Sequence, residues 1–126
     1  MITRKSTANP GELEVYLDDD NTFRPDISVI CDFSKMGDNG YEGAPELIVE
    51  VLSPNTAKRD YGKKFECYQA CGVKEYWIIN PDYEIIEQYV LVDGAFKLLA
   101  VRLTKFHSDV FEDLEINPND VFSFRR

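Results

Sequence analysis

The sequence has 126 residues, 44% of them hydrophobic and 13% aromatic, enough for one globular domain to close a single core and too few for two domains of ordinary size. Against 14 Lys and Arg stand 23 Asp and Glu, and the net charge of −9 repels a polyanion at long range, unlike a constitutive nucleic-acid binder. No run approaches the roughly 18 apolar residues a membrane span needs, and the opening MITRKSTANPGELEV lacks an apolar signal core. The expected setting is therefore soluble and cytoplasmic, with no membrane partner.

Taken in chain order, ELEVYLDD alternates Leu13, Val15 and Leu17 against Glu12, Glu14 and Tyr16, a period-two strand that ends in the polar run from Asp18 to Thr22. The segment Asp26–Cys31 (DISVIC) predicts a second strand, a Gly-rich loop follows through Gly43, and Glu46–Ser53 (ELIVEVLS) predicts a buried central strand stopped by Pro54-Asn55. From Ala57 to Cys71, Ala57, Tyr61, Phe65 and Tyr68 recur at helical spacing, with Gly72 placed to end the helix. Gly62 weakens the early turns, which leaves Asp60 as an alternative N-cap with the regular helix starting at Tyr61. Glu75–Ile79 (EYWII) predicts another strand, stopped at Asn80-Pro81-Asp82, and two β-prone runs join at the hairpin turn Asp93-Gly94. The tail from Glu115 to Phe124 holds a short strand and one turn of helix after Asn117-Pro118. The expected fold is α/β or α+β: one mixed sheet in a single domain over 1–126, one main helix after the central strand, and a C-terminal β-hairpin.

Three residues carry the candidate chemistry. Glu50 interrupts the apolar run LIVEVL, where a buried carboxylate must meet a cation, a metal or hydrogen bonds, or else neutralise; the plainer alternative is a Glu reaching solvent or pairing with a structural Arg. Asp26 follows Pro25 at the start of a strand, a common turn position, but two carboxylates on neighbouring strands can converge on one hard divalent cation. Lys64 projects into the apolar arc of its helix, where it either snorkels past Tyr61 and Tyr68 or reaches the same cleft to stabilise charge on a phosphate. Other chemistries lack their parts. Cys31, Cys67 and Cys71 suit reduced thiols, because a zinc site on Cys67 and Cys71 would need more ligands than the single His107 supplies. Ser53 has no nucleophile elbow and no phosphate-binding glycine pattern exists. Lys58, Arg59, Lys63 and Lys64 form the densest basic cluster, as a solvated helix face or a phosphate contact.

The succession RPDISVICD, APELIVEVLSPNT and DYGKKFECYQACGVKEYWIINP resembles the Uma-two family of restriction-endonuclease-like proteins, within the PD-(D/E)XK nuclease superfamily. The likeness runs from Phe23 to Pro81 and more loosely through the C-terminal hairpin. It implies a metal-dependent endonuclease hydrolysing nucleic-acid phosphodiesters, DNA before RNA, in which Asp26 and Glu50 hold Mg²⁺ or Mn²⁺ with the backbone carbonyl of Val51 as third ligand. The superfamily's lysine two residues after the acidic position is Leu52 here, and by similarity Lys64 takes its role. Family members carry a longer portion before the Pro-Asp strand; with about two dozen residues there, the expectation is a homodimer that completes the fold, and the alternative function is an inactive nuclease-fold module for oligomerisation or binding.

Overall fold

The computed structural model describes residues 7–10 and 13–122. Its elements run β1 (Thr7–Pro10), β2 (Val15–Tyr16), β3 (Thr22–Phe23), β4 (Ile27–Ile30), β5 (Tyr41–Glu42), β6 (Leu47–Val51), α1 (Ala57–Tyr61), α2 (Lys63–Ala70), β7 (Glu75–Asn80), β8 (Ile85–Val92), β9 (Ala95–Arg102), β10 (Phe106–His107), β11 (Glu115–Ile116) and α3 (Pro118–Phe122), with a 3-10 turn at Phe33–Lys35. Six strands form one sheet in the order β1-β4-β6-β7-β8-β9, beside a three-stranded sheet β3-β2-β5 and a two-stranded pair β10-β11. The architecture is mixed α+β, as expected. In the large sheet only β6 and β7 are parallel, so the chain must cross over between them, and α1 and α2 make that crossing.

The central strands sort their side chains to two cores by simple alternation. Leu47 and Val49 of β6 join Val29, Trp77, Ile79 and Ile86 on one face, closed by Phe106, Phe111 and Phe122 from the C-terminal segment. Ile48 of the same strand joins Tyr76, Ile78 and Phe96 on the other face, closed by Phe23, Tyr68 and Val73. This second face is the one α2 covers, and Glu50 shares it with Ile48.

The helix predicted as one piece over Ala57–Cys71 is two, broken at Gly62. There the backbone passes so close to the preceding turn that a Cβ would lie 2.6 Å from the Lys58 carbonyl oxygen, a contact only glycine avoids. Asp60 does not cap α2: its N–H donates to the Thr56 carbonyl at 2.9 Å inside α1, its side chain is buried, and the residue before α2 is Gly62, with no side-chain cap. The C-terminal end is as expected. Gly72 takes φ +88°, Val73 N–H donates to the Tyr68 carbonyl and Gly72 N–H to the Gln69 carbonyl, the paired bonds of a Schellman end.

Two further differences have local causes. The strand predicted through Leu17 shrinks to Val15–Tyr16, because the Asp18 carboxylate accepts the backbone N–H groups of Asp20 and Asn21 and turns the chain back into β3. The strand β1, antiparallel to β4, was not foreseen; TANP has a proline and no apolar alternation, which suits a sheet edge. Asp93 and Gly94 both have positive φ, matching the tight turn that joins β8 to β9.

Candidate active site

The register of the large sheet brings two acidic residues to one end. Ile27 of β4 pairs with Val49 of β6, so Asp26, one residue before β4, lies opposite Glu50. A reciprocal pair of hydrogen bonds fixes them. The Asp26 N–H donates to Glu50 Oε1 at 3.0 Å, and the Val51 N–H donates to Asp26 Oδ2 at 2.7 Å. Glu50 is 1% exposed, whereas Asp26 is open to solvent.

The other Glu50 oxygen meets α2. Lys64 Nζ lies 3.0 Å from Oε2 and the Tyr68 hydroxyl donates to the same oxygen at 2.9 Å; the two residues are one helical turn apart and so project from one face. Burial pushes the Glu50 carboxyl above its ordinary range, opposed by the Asp26 N–H, the Lys64 ammonium and the Tyr68 hydroxyl. Burial, with Glu50 beside it, pushes the Tyr68 phenol far upward, so it stays protonated and donates.

Asp60, which the sequence reading treated only as a cap, is a third acid in this place. It is 1% exposed, and its Oδ1 lies 3.3 Å from Lys64 Nζ. That contact is ionic only: neither Asp60 carboxylate oxygen has a hydrogen-bond partner among the described residues. The Tyr76 hydroxyl donates to the Asp60 main-chain carbonyl at 3.0 Å, tying the end of α1 to the sheet. A signal was available in the sequence, since Asp60 stands four residues before Lys64, the spacing at which helical side chains meet, and that contact persists across the break at Gly62.

Asp26, Glu50, Val51, Asp60 and Lys64 all line one cleft of about 410 Å³, with Arg24, Leu52, Ser53 and Thr56 completing the wall. Arg24 at the rim is ion-paired to Glu14 at 2.7 Å and well exposed. A somewhat larger hollow of about 490 Å³ is bounded by Tyr16, Asp38, Glu42 and the loop Gly37–Gly40, with no cation in its wall and no buried acid, so the chemistry belongs to the smaller one. The basic cluster splits: Lys58, Arg59 and Lys63 are exposed and only Lys64 turns inward. The three cysteines are free thiols; Cys67 and Cys71 face Asn21 and Asp18.

The donor set around the cleft is oxygen only, which suits a hard divalent cation. Among the described residues no three His, Cys, Asp or Glu side chains are grouped to hold a metal ion by themselves. The ligand set that the resemblance implies, Asp26, Glu50 and the Val51 carbonyl with water filling the rest, would be a sparse protein shell of the kind magnesium accepts, and all three residues line this cleft. Asp26, Glu50 and Asp60 thus line the cleft with three carboxylates, two of which share the single Lys64 ammonium.

The fold recurs in the crystal structure of "a putative nuclease belonging to DUF820" from Anabaena variabilis ATCC 29413, which aligns at a TM-score of 0.72 and 23% identity over 96% of this chain and 70% of that one. Over 85 residues the chain is 32% identical to the uncharacterized protein slr1290 of Synechocystis sp. (strain ATCC 27184 / PCC 6803 / Kazusa), a match that takes in 68% of this chain and 36% of that protein. The chain thus spans well under half the length of this curated relative. No helix among the described residues is long and apolar enough to cross a membrane. The model of the Uma2 family, described as "Putative restriction endonuclease", matches residues 3–119, and the chain belongs to that family.

Proposed function

We propose that this chain is a metal-dependent endonuclease domain hydrolysing nucleic-acid phosphodiester bonds, with Asp26, Glu50 and Lys64 as its working residues. The observation that supports this reading best is the clasp between the ends of β4 and β6, which aims two carboxylates into one cleft beside a half-buried lysine. In this reading Asp26, Glu50 and the Val51 carbonyl would hold Mg²⁺ or Mn²⁺. When bound, the cation would supply Lewis acidity to a phosphodiester and lower the pKa of a water. The clasp keeps the two carboxylates in fixed relation, so little reorganisation is needed on binding. Tyr68 orients Glu50 by donating to Oε2, and the Lys64 ammonium faces the charge that grows on the phosphate oxygens as water adds to phosphorus and the ester P–O bond breaks. DNA comes before RNA as substrate.

Net charge opposes this role at long range and is outweighed locally. At −9 the chain lacks long-range attraction for a polyanion, but a bound divalent ion is the largest local charge where it sits. The homodimer expected from the sequence has an open apolar edge to use: β9 is the outermost strand of the large sheet and exposes Leu98, Leu99 and Val101. Sedimentation as a monomer at high micromolar concentration would remove that expectation.

The test is nicking of supercoiled DNA, and cleavage of a single-stranded RNA, by wild type, Glu50→Gln and Lys64→Met with Mg²⁺ or Mn²⁺. The wild type should cut one of the two, and each variant should lose about 10²–10³-fold or more in rate. Cation binding without cleavage of either polymer would favour an inactive nuclease-fold module instead.

A further inference from the structure

Asp60 is the residue that the proposed chemistry leaves unused. Two carboxylates, Glu50 and Asp60, are each 1% exposed, and both lean on the single Lys64 ammonium, at 3.0 Å and 3.3 Å. Asp26 adds a further negative charge at the mouth. The lining residues Asp26, Glu50 and Asp60 against Lys64 leave an excess of negative charge, with Arg24 turned to Glu14. Glu50 at least has hydrogen bonds from the Asp26 N–H and the Tyr68 hydroxyl. Asp60 has none on either oxygen. A buried carboxylate without hydrogen bonds is costly to the folded chain, and the one group in the wall of the cleft that offsets it, the Lys64 ammonium, is shared with Glu50.

Replacing that residue by a neutral one would leave Glu50 and Lys64 as a matched pair. The chain instead keeps a second acid beside them, and Gly62, the only residue type that fits the break between α1 and α2, carries Asp60 and Lys64 into the same cleft. The arrangement costs stability and creates a deficit of positive charge, and such a deficit is what a divalent cation fills.

We infer that Asp60 is a positioning residue of the cation site: by sharing the Lys64 ammonium with Glu50 it keeps Lys64 from neutralising the cleft, and so strengthens the uptake of one divalent cation by Asp26 and Glu50. Asp60 acts through Lys64 and through its charge, without itself being a ligand. This rests on the metal-dependent reading above.

The experiment is calorimetric titration of the metal-free chain with Mn²⁺ alone, together with thermal melting of the metal-free proteins, for wild type, Asp60→Asn and Glu50→Gln. Wild type should bind one Mn²⁺, Glu50→Gln none, and Asp60→Asn should bind about tenfold or more weakly, because one unit of nearby charge has gone. The metal-free Asp60→Asn protein should melt at or above the wild-type temperature, the opposite of what loss of a merely structural residue would do. If Asp60→Asn does not fold, Asp60→Ser answers the same questions. Wild-type affinity in the Asp60 variant, with binding lost in Glu50→Gln, overturns the inference and leaves the metal-dependent reading standing. A fall in both affinity and metal-free melting temperature makes Asp60 structural and also overturns it. A wild type that takes up no Mn²⁺ overturns both.

Discussion

Two buried glutamates sit on the adjacent parallel strands β6 and β7, and they could hardly be used more differently. Glu75 is completely buried and accepts hydrogen bonds from the Trp77 indole, the Gln88 amide, the Ser108 hydroxyl and the backbone N–H groups of Asp109 and Val110. All are neutral donors fixed in the packed face, and they tie the C-terminal segment to the sheet. Glu50, on the opposite face, has two neutral donors and an ammonium that it must share with Asp60. Burial of a carboxylate is thus no sign of function by itself. What separates the two is unfinished business: around Glu75 the acceptor capacity is used up, while around Glu50 there is an open cleft, a second acid without hydrogen bonds and a single ammonium between the two.

The largest effect is expected at Glu75. Glu75→Ala should cost about 4 kcal/mol in urea unfolding, because several buried donors lose their acceptor at once, and any protein that folds should bind divalent cation as wild type does. A cost under about 1 kcal/mol, within the range of a single ordinary hydrogen bond, would mean the carboxylate is not the fastener described.

Lys64→Met comes next. It leaves Glu50 and Asp60 buried with no cation near them, and loss of one partner from such a pair costs about 3–5 kcal/mol. Added Mn²⁺ should return part of that stability by mass action, whereas Glu75→Ala should gain only what wild type gains and keep its deficit against wild type unchanged.

Gly62→Ala puts a Cβ against the Lys58 carbonyl and should cost about 1–3 kcal/mol. It should weaken Mn²⁺ binding as well, since the break between α1 and α2 carries both Asp60 and Lys64.

The smallest effect is a sign. Because burial raises the Glu50 carboxyl above its ordinary value of 4.5, the folded state holds a proton there that the unfolded chain has already lost. Without metal, the contribution of Glu50 is fully present below pH 4.5 and is lost as pH rises through the folded-state value. Denaturation midpoints against pH should show that decline in wild type and a flatter profile in Glu50→Gln. An equal slope in both would mean that Glu50 is not the titrating group.

The sequence made the frame of the site legible because the relevant signals are local. Pro25-Asp26 opening a strand, a glutamate inside LIVEVL, and a lysine in the apolar arc of a helix can each be read from a few neighbours, as can the turn at Asp93-Gly94 and the helix end at Gly72. What escaped depends on where distant segments meet. Glu75 opens the run EYWII, where a charged residue looks like an ordinary strand start, and only the arrival of Ser108, Asp109 and Val110 from over thirty residues away makes it a buried hub. Asp60 read as a cap because Gly62 marks a break, and whether α1 continues before that break is decided by packing against Tyr76. The strand β1 has no apolar pattern of its own and owes its place to pairing with β4.

The measurement that bears most directly on the central claim is anomalous diffraction from crystals of wild type and Glu50→Gln soaked in Mn²⁺. One strong peak is expected in wild type between the Asp26 and Glu50 carboxylates, at about the 2.0–2.6 Å from oxygen that hard divalent cations adopt, and no peak there in the variant. A peak that survives in Glu50→Gln, or a wild-type cleft that stays without one while the crystals are saturated with Mn²⁺, would contradict it.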